Sequence, residues 1–297
     1  MADRVAMLFP GQGSQKAGMG KPFVDEPEFS IARKAQEILN IDVEKLLCDE
    51  SEDSLTNTHD SQLAILLTSL MSFERSKAQD YEIVCFAGHS LGQVSALICA
   101  DVISLEEGIN FASKRAIETQ KCADKNGGAM AALLGADKTA SRLICETYPE
   151  LWVANDNAPG QIVIAGNESS IDKVVENARD FELKKAIKLG VNGAFHTPYM
   201  NEASLALEPV LETMTFSKPI APVASNDDGR AYSTFEIWQK KLSAHVSNPV
   251  LWVDCMDAVV LLEPQYGLEI GFGSTLAGLA KRCTPDFKVQ SFYTEVK

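Results

Sequence analysis

Ser90 lies in Gly88-His89-Ser90-Leu91-Gly92, and a serine between two glycines at that spacing fits the G-x-S-x-G turn of a nucleophile. Ile83-Val84-Cys85-Phe86-Ala87 before it is a short apolar run of the kind buried as a strand, and residues 94–100 continue as a small-residue helix. On a strand-to-helix turn of this type the serine is strained and the glycines allow close backbone approach. The N–H that follows the serine, that of Leu91, then faces an oxyanion. A glycine-rich turn without chemistry fits the same five letters.

A serine nucleophile needs a base within hydrogen-bond reach, and histidine, with an unperturbed pKa of about 6.5, is the usual one. Of His59, His89, His196 and His245, the third has the best context. His196 sits in a loop, residues 191–198, that follows a predicted strand and ends at Pro198, which suits the opening of a helix. Loops at the carboxyl edge of an α/β sheet are where ligand sites assemble. A structural hydrogen bond is the alternative for any single histidine; His89, on the tight turn, reads as structural, and His59 has no supporting context. Arg115 borders the apolar side of a helix predicted over residues 104–122, one turn from Phe111 and Ala112. A partly buried guanidinium requires an anion, and either a protein carboxylate or a substrate carboxylate held bidentately satisfies it. The loop Gly11-Gln12-Gly13 lacks the full phosphate-binding patterns, and its other use is to supply a second backbone N–H, from Gln12, to an oxyanion hole.

These residues need elements to hold them. Residues 4–9 read as a first strand, followed by helices over residues 28–39 and 61–77, the strand before Ser90, and the helix over residues 104–122. Strands alternating with helices indicate an α/β sheet. From residue 126 the order becomes β-α-β-β-α-β: strands over 129–134, 151–154, 161–165 and 183–189, and helices over 138–147 and 171–181. That is the ferredoxin-like split pattern, taken as an inserted subdomain. Helices return over residues 198–214, 234–245 and 253–262, then a strand over 268–270 and a turn into a final helix, so the first and last segments are expected to share one sheet.

Composition is that of a soluble globular protein: 297 residues, 45% hydrophobic and 23% charged, with a net charge of −14. The charge excludes a general nucleic-acid binder, since phosphate neutralisation needs concentrated Lys and Arg. No apolar run is long enough to span a bilayer and the N-terminus lacks a signal-peptide core, so a cytoplasmic protein with no membrane partner is expected. The seven cysteines form no C-x-x-C pair and most read as buried thiols, and the histidines show no zinc-ligand spacing, so no metal is expected.

Five segments, taken together, resemble malonyl-CoA:acyl carrier protein transacylases from Val5 to Arg282. They are Leu8-Phe9-Pro10-Gly11-Gln12-Gly13-Ser14-Gln15, the turn at residues 88–92, Gly128-Ala129-Met130-Ala131-Ala132, residues 157–166, and Asn248-Pro249-Val250-Leu251-Trp252. The resemblance implies an α/β-hydrolase-like large domain with a parallel sheet, residues 1–124 and 192–297, and the ferredoxin-like subdomain at residues 125–191. It implies that Ser90 attacks a malonyl thioester, that His196 takes and returns the proton, and that the N–H groups of Gln12 and Leu91 hold the oxyanion. A main-chain carbonyl near His245 would orient His196, making a Ser-His dyad without an acid side chain. Arg115 would pair with the malonyl carboxylate, with Phe195, Thr119 and Gln62 completing the substrate site and Phe195 crowding an α-methyl branch.

The implied reaction is ping-pong transfer from malonyl-CoA to the phosphopantetheine thiol of acyl carrier protein by a monomer without a dissociable cofactor, in fatty-acid synthesis. A trans-acting polyketide acyltransferase and a proofreading acyl-thioester hydrolase are the alternatives, and a hydrolase of uncharged acyl chains has no use for a buried cation. A non-catalytic docking module would be expected to lose the serine or the histidine. An acidic carrier protein would dock on Lys184, Lys185 and Lys188, or on Lys281 and Arg282. The chain departs from the family pattern at Gln93 (glutamate is usual), Ala116 (glycine), Thr119 (methionine), Leu63 and Phe272 (proline) and His245 (glutamine). Thr119 and Ala116 bear on acyl selectivity more than on reaction type.

Overall fold

A computed structural model describes residues 2–49, 51, 55 and 57–293; the terminal limits 1 and 297 of the expected large domain lie outside them. The chain opens with β1 (Asp3–Phe9), α1 (Ser30–Leu39), α2 (Val43–Cys48), α3 (Thr58–Ser76), β2 (Tyr81–Gly88), α4 (Leu91–Cys99) and α5 (Leu105–Asn126). It continues through β3 (Ala129–Leu134), α6 (Lys138–Thr147), β4 (Leu151–Ala158), β5 (Gln161–Gly166), α7 (Glu168–Glu176) and β6 (Lys185–Lys188). The last part holds α8 (Asn201–Thr213), β7 (Val223–Ala224), β8 (Ala231–Tyr232), α9 (Trp238–Ala244), β9 (Val250–Leu251), α10 (Trp252–Val260), β10 (Tyr266–Glu269), α11 (Thr275–Cys283) and β11 (Val289–Ser291).

Alternation along β1 sets the layers. Val5, Met7 and Phe9 are buried toward α3, α4 and α5, while Ala6 and Leu8 are buried against Trp252, Met256 and Leu276 of α10 and α11. A strand covered on both faces belongs inside a parallel sheet, and the larger sheet has the order β11-β10-β1-β2-β7-β8, with only β7–β8 antiparallel. First and last segments share this sheet, as expected. The smaller sheet has the order β6-β3-β5-β4-β9. Its four strands from residues 129–188 pair antiparallel, with α6 and α7 against one face and Met130, Ala154 and Val163 on the other.

Several boundaries differ from the sequence reading. The helix predicted over 198–214 is a 3-10 turn, Pro198–Met200, followed by α8, and the one predicted over 234–245 begins only at Trp238. The predicted third helix runs on to Asn126, where Gly127 at φ +64 stops it. The short strands β7, β8, β9 and β11 were not expected, because two or three residues carry no readable period. Among these, β9 pairs parallel with β4 through Asn155 and Asp156, adding a fifth strand to the smaller sheet from residues far along the chain.

Glycines let the carboxyl ends of β1 and β2 meet. A Cβ on Gly92 would lie 2.0 Å from Phe9 O, and one on Gly88 would lie 1.9 Å from Gly92 O. Gly11 is equally close, 2.3 Å from His89 O, so the loop after β1 lies directly on the turn after β2. Backbone atoms cannot swing aside as side chains do. Gly92→Ala is therefore expected to destabilise the protein by about 1–3 kcal/mol or more, the usual range for overpacking. Gly278→Ala, in α11 with no atom near its Cβ position, is expected to be neutral or stabilising by a few tenths of a kcal/mol up to about 1. Thermal unfolding of the two variants checks the contrast.

Candidate active site

At the carboxyl ends of β1 and β2 a cavity of about 570 Å³ opens between the larger sheet and the smaller one, and Ser90, His196 and Arg115 all line it. Ser90 has φ +51 and ψ −112, a left-handed backbone that a serine adopts only under constraint. The constraint is visible: His89 N–H donates to Phe9 O at 3.0 Å, and the helix begins at once with Gly92 N–H to His89 O and Gln93 N–H to Ser90 O, both 2.9 Å. Ser90's own N–H donates to Asn226 Oδ1 at 2.9 Å.

Ser90 Oγ lies 2.8 Å from His196 Nε2. On the other side of the ring, Nδ1 faces two carbonyls, His245 O at 3.1 Å and Asn248 O at 3.0 Å. Carbonyls only accept, so Nδ1 carries the proton, Nε2 presents its lone pair, and the serine hydroxyl donates to it. His196 itself has φ +61, with its N–H donating to Val246 O at 2.9 Å. Burial, followed by the nearby charge of Arg115 and the His89 ring, pushes the His196 pKa down to about 3. The imidazole is thus neutral at physiological pH.

Arg115 is 4% exposed. Its Nη1 donates to Gln62 Oε1 at 2.6 Å and its Nη2 donates to Ser90 Oγ at 3.1 Å, while Nε is buried without a partner. Among the described residues no carboxylate pairs with it. Burial brings its pKa down to about 10, which still leaves it cationic near neutrality. The choice left open by the spacing is therefore narrowed: no protein carboxylate among the described residues answers this charge.

The remaining expected residues also gather here. Gln12 and Leu91 line the cavity together with Ser90, and among the described residues neither backbone N–H donates to a protein acceptor. Phe195 and Thr119 form part of the wall. The Thr119 hydroxyl donates to Arg115 O at 2.9 Å and Ala116 O at 3.1 Å, so it is spent on its own helix. Gln62, expected at the substrate, touches the guanidinium and so fixes its orientation. His89 has the structural partners expected of it, with Nε2 2.7 Å from Asn157 Oδ1 and its ring edge-on to Trp252.

Two groups escaped the sequence reading. Asn226, at the end of β7, is wholly buried against the serine turn, and the only signal for it was the short Pro222-Val223-Ala224-Ser225-Asn226 stretch. Asn248 contributes a carbonyl to His196 alongside His245. Gln93, noted only as a departure from glutamate, accepts from Asn226 N–H at 2.7 Å, a task an uncharged amide performs as well as a carboxylate. The expected docking cations are partly committed. Lys188 Nζ lies 2.9 Å from Glu168 and 2.6 Å from Asp172, and Arg282 donates to Gln161 and to Pro159 O. The exposed pair Lys184 and Lys185 is what remains of the first patch. No helix among the described residues is long and apolar enough to cross a membrane.

Comparison with known proteins shows the family. Residues 6–290 match the model of the acyl transferase domain family. The chain is 32% identical over 285 residues to a malonyl CoA-acyl carrier protein transacylase of Bacillus subtilis, covering 94% of this chain and 90% of that protein. It is also 32% identical to a polyketide biosynthesis malonyl CoA-acyl carrier protein transacylase of the same organism, covering 95% and 98%. The crystal structure of an acyl-carrier-protein S-malonyltransferase from Burkholderia pseudomallei superposes with a TM-score of 0.93 at 30% identity, covering 98% of this chain and 97% of that one. A match of this extent, over a chain whose serine, histidine and arginine converge in one cavity, places the protein in the acyl transferase domain family.

Proposed function

We propose that the protein transfers a malonyl group from malonyl-CoA to the phosphopantetheine thiol of an acyl carrier protein through an ester on Ser90. The observation that carries this is Arg115, a buried cation 3.1 Å from the Ser90 oxygen with no carboxylate partner among the described residues. A malonyl thioester carries its free carboxylate two bonds from the carbonyl under attack. A cation within hydrogen-bond distance of the nucleophile is therefore placed for a short diacid. Charge-assisted bonds from the guanidinium would hold that carboxylate and aim the carbonyl at Oγ.

In the first half-reaction Ser90 Oγ attacks the thioester carbon while its proton passes to His196 Nε2. The negative charge that develops on the carbonyl oxygen is met by the N–H groups of Gln12 and Leu91. Collapse breaks the C–S bond, and the departing CoA sulfur takes the proton back from the imidazolium. A histidine whose pKa is held near 3 is a strong acid once protonated, so it returns that proton readily. The carrier thiol then retraces the path, losing its proton to His196 and attacking the Ser90 ester. These two half-reactions need no dissociable cofactor. The main-chain carbonyls of His245 and Asn248 do the work an aspartate does in a triad, fixing the tautomer of His196.

The division of the chain follows the same reading. The parallel sheet and its helices, residues 1–124 and 192–297, act as an α/β-hydrolase-like domain carrying the dyad. Residues 125–191 act as a ferredoxin-like subdomain whose open face supplies the far wall of the acyl pocket through Met130. Phe195 and Thr119 narrow the space for an α-substituent. An acyl-thioester hydrolase is the less suited reading, because hydrolysis of uncharged acyl groups gives Arg115 nothing to bind.

Incubation with labelled malonyl-CoA, methylmalonyl-CoA or acetyl-CoA, followed by carrier protein or by water alone, tests the reading. A malonyl label on Ser90 that moves to the carrier thiol is expected, and rapid release to water without transfer would falsify the transferase assignment. Arg115→Ala is expected to lose about 2–5 kcal/mol of transition-state stabilisation for malonyl-CoA, roughly thirty- to several-thousand-fold in kcat/KM. Acetyl-CoA should suffer less, and an equal loss with both donors would rule out a carboxylate clamp.

The buried histidines also fix the pH response. His89, His196 and His245 are all held below the ordinary histidine value by burial, so between the unfolded value of about 6.5 and their native values the unfolded chain binds protons that the folded chain does not. Their contribution to stability is intact above about pH 6.5 and falls away below it. The melting temperature is expected to drop between pH 7.5 and 5. Acylation measured over the same range should show no ionisation near pH 6.5 belonging to the base, and a limb there would contradict the depressed His196.

A further inference from the structure

Asn226 is fully buried and every one of its polar groups is used. Its Oδ1 accepts from Ser90 N–H at 2.9 Å and from His245 Nε2 at 3.2 Å, and its Nδ2 donates to Gly88 O at 2.8 Å and reaches Cys255 Sγ at 3.7 Å. Its main-chain N–H donates to Gln93 Oε1, and its carbonyl accepts from Leu251 N–H at 2.8 Å. The orientation of the amide is forced, because the Ser90 N–H can only donate and the Gly88 carbonyl can only accept. The His245 ring must then donate from Nε2. Its Nδ1 is left bare, buried and without a partner among the described residues.

His245 therefore touches both halves of the reacting pair. Its carbonyl accepts from His196 Nδ1 at 3.1 Å, and its ring, through Asn226, reaches the N–H of Ser90. We infer that His245 and Asn226 form a positioning pair that couples the orientation of the base to the strained backbone of the nucleophile. Without the His245 donor, Asn226 Oδ1 has one partner where it now has two, and resistance to a rotation of the amide away from Ser90 N–H falls to the bonds with Ser90 N–H and, through Nδ2, with Gly88 O. Relaxation of the Ser90 turn from φ +51 would carry Oγ out of line with His196 Nε2. The ring does this while neutral, and a proton on Nδ1 would create an unpartnered cation close to Arg115 and His196, which burial and those neighbours disfavour.

The inference rests on Ser90 and His196 being the reacting pair, and Ser90→Ala and His196→Ala test that premise separately: acylation surviving in either sinks the reading of the site, whatever His245 does. His245→Leu and His245→Gln both keep the main-chain carbonyl, but only glutamine keeps a side-chain N–H donor. In His245→Leu the kcat of malonyl transfer is expected to fall roughly tenfold or more, the scale of a nucleophile displaced by part of an ångström, with KM for malonyl-CoA within about twofold of the parent. His245→Gln should recover most of that loss. Equal kcat in His245→Leu and the parent, or equal losses in the leucine and glutamine variants, overturns the proposal. Nitrogen NMR of histidine-labelled parent protein gives a reading that needs no variant to fold. A His245 ring protonated at Nε2 and bare at Nδ1 is expected, and the opposite tautomer overturns the coupling.

Discussion

Holding the Arg115 guanidinium inside the protein without a carboxylate costs several kcal/mol in desolvation that protein hydrogen bonds only partly offset. Gln62 supplies one acceptor and the Ser90 hydroxyl another, and Nε has none. A site that keeps such a cation is arranged for an anion that comes and goes. The same charge reaches its neighbours, adding to burial, the larger cause, in disfavouring protonation of both His196 and His245. One buried positive charge thus stands beside the serine without a protein carboxylate among the described residues and, together with burial, keeps His196 in the form that can accept a proton.

Proton bookkeeping then follows without freedom. Two carbonyls place the His196 proton on Nδ1, which frees Nε2 for the serine. The serine hydroxyl receives Arg115 Nη2 and gives its own proton to Nε2, so every donor around Oγ has a defined direction. A carboxylate in place of the two carbonyls would offer a second negative charge for Arg115 to pair with. A histidine oriented by neutral acceptors brings no competing carboxylate to the guanidinium.

The scaffold makes this possible by close backbone contact more than by side-chain packing. Gly88, Gly92 and Gly11 bring three main-chain segments within distances that no Cβ tolerates. Gln12 and Leu91, each next in the chain to one of these glycines, both line the cavity with Ser90. The second sheet lines the cavity with Met130 and Asn155, and β9 extends its edge with residues 250–251, with one residue between them and Asn248, whose carbonyl holds His196.

Much of this was legible in the order of residues. The nucleophile turn, the apolar alternation of β1, the β-α-β-β-α-β run and the placing of Arg115 on an inward helix face are all local patterns, and local sterics and periodicity suffice to write them. Loop context pointed to His196, and the two turns offered the N–H groups of Gln12 and Leu91; the motif resemblance gave these their roles and added Gln62, although it could not say that Gln62 acts on the guanidinium. What the chain order left open was every contact between distant segments. Whether Arg115 met a protein carboxylate, that Asn226 held the serine turn from across 136 positions, and that Gln93 served where glutamate is usual were decided only when the strands were laid side by side. The reason is physical: a two-residue strand such as β7 has no period to read, and a hydrogen bond between buried side chains depends on the angle at which two elements meet, which no single segment encodes.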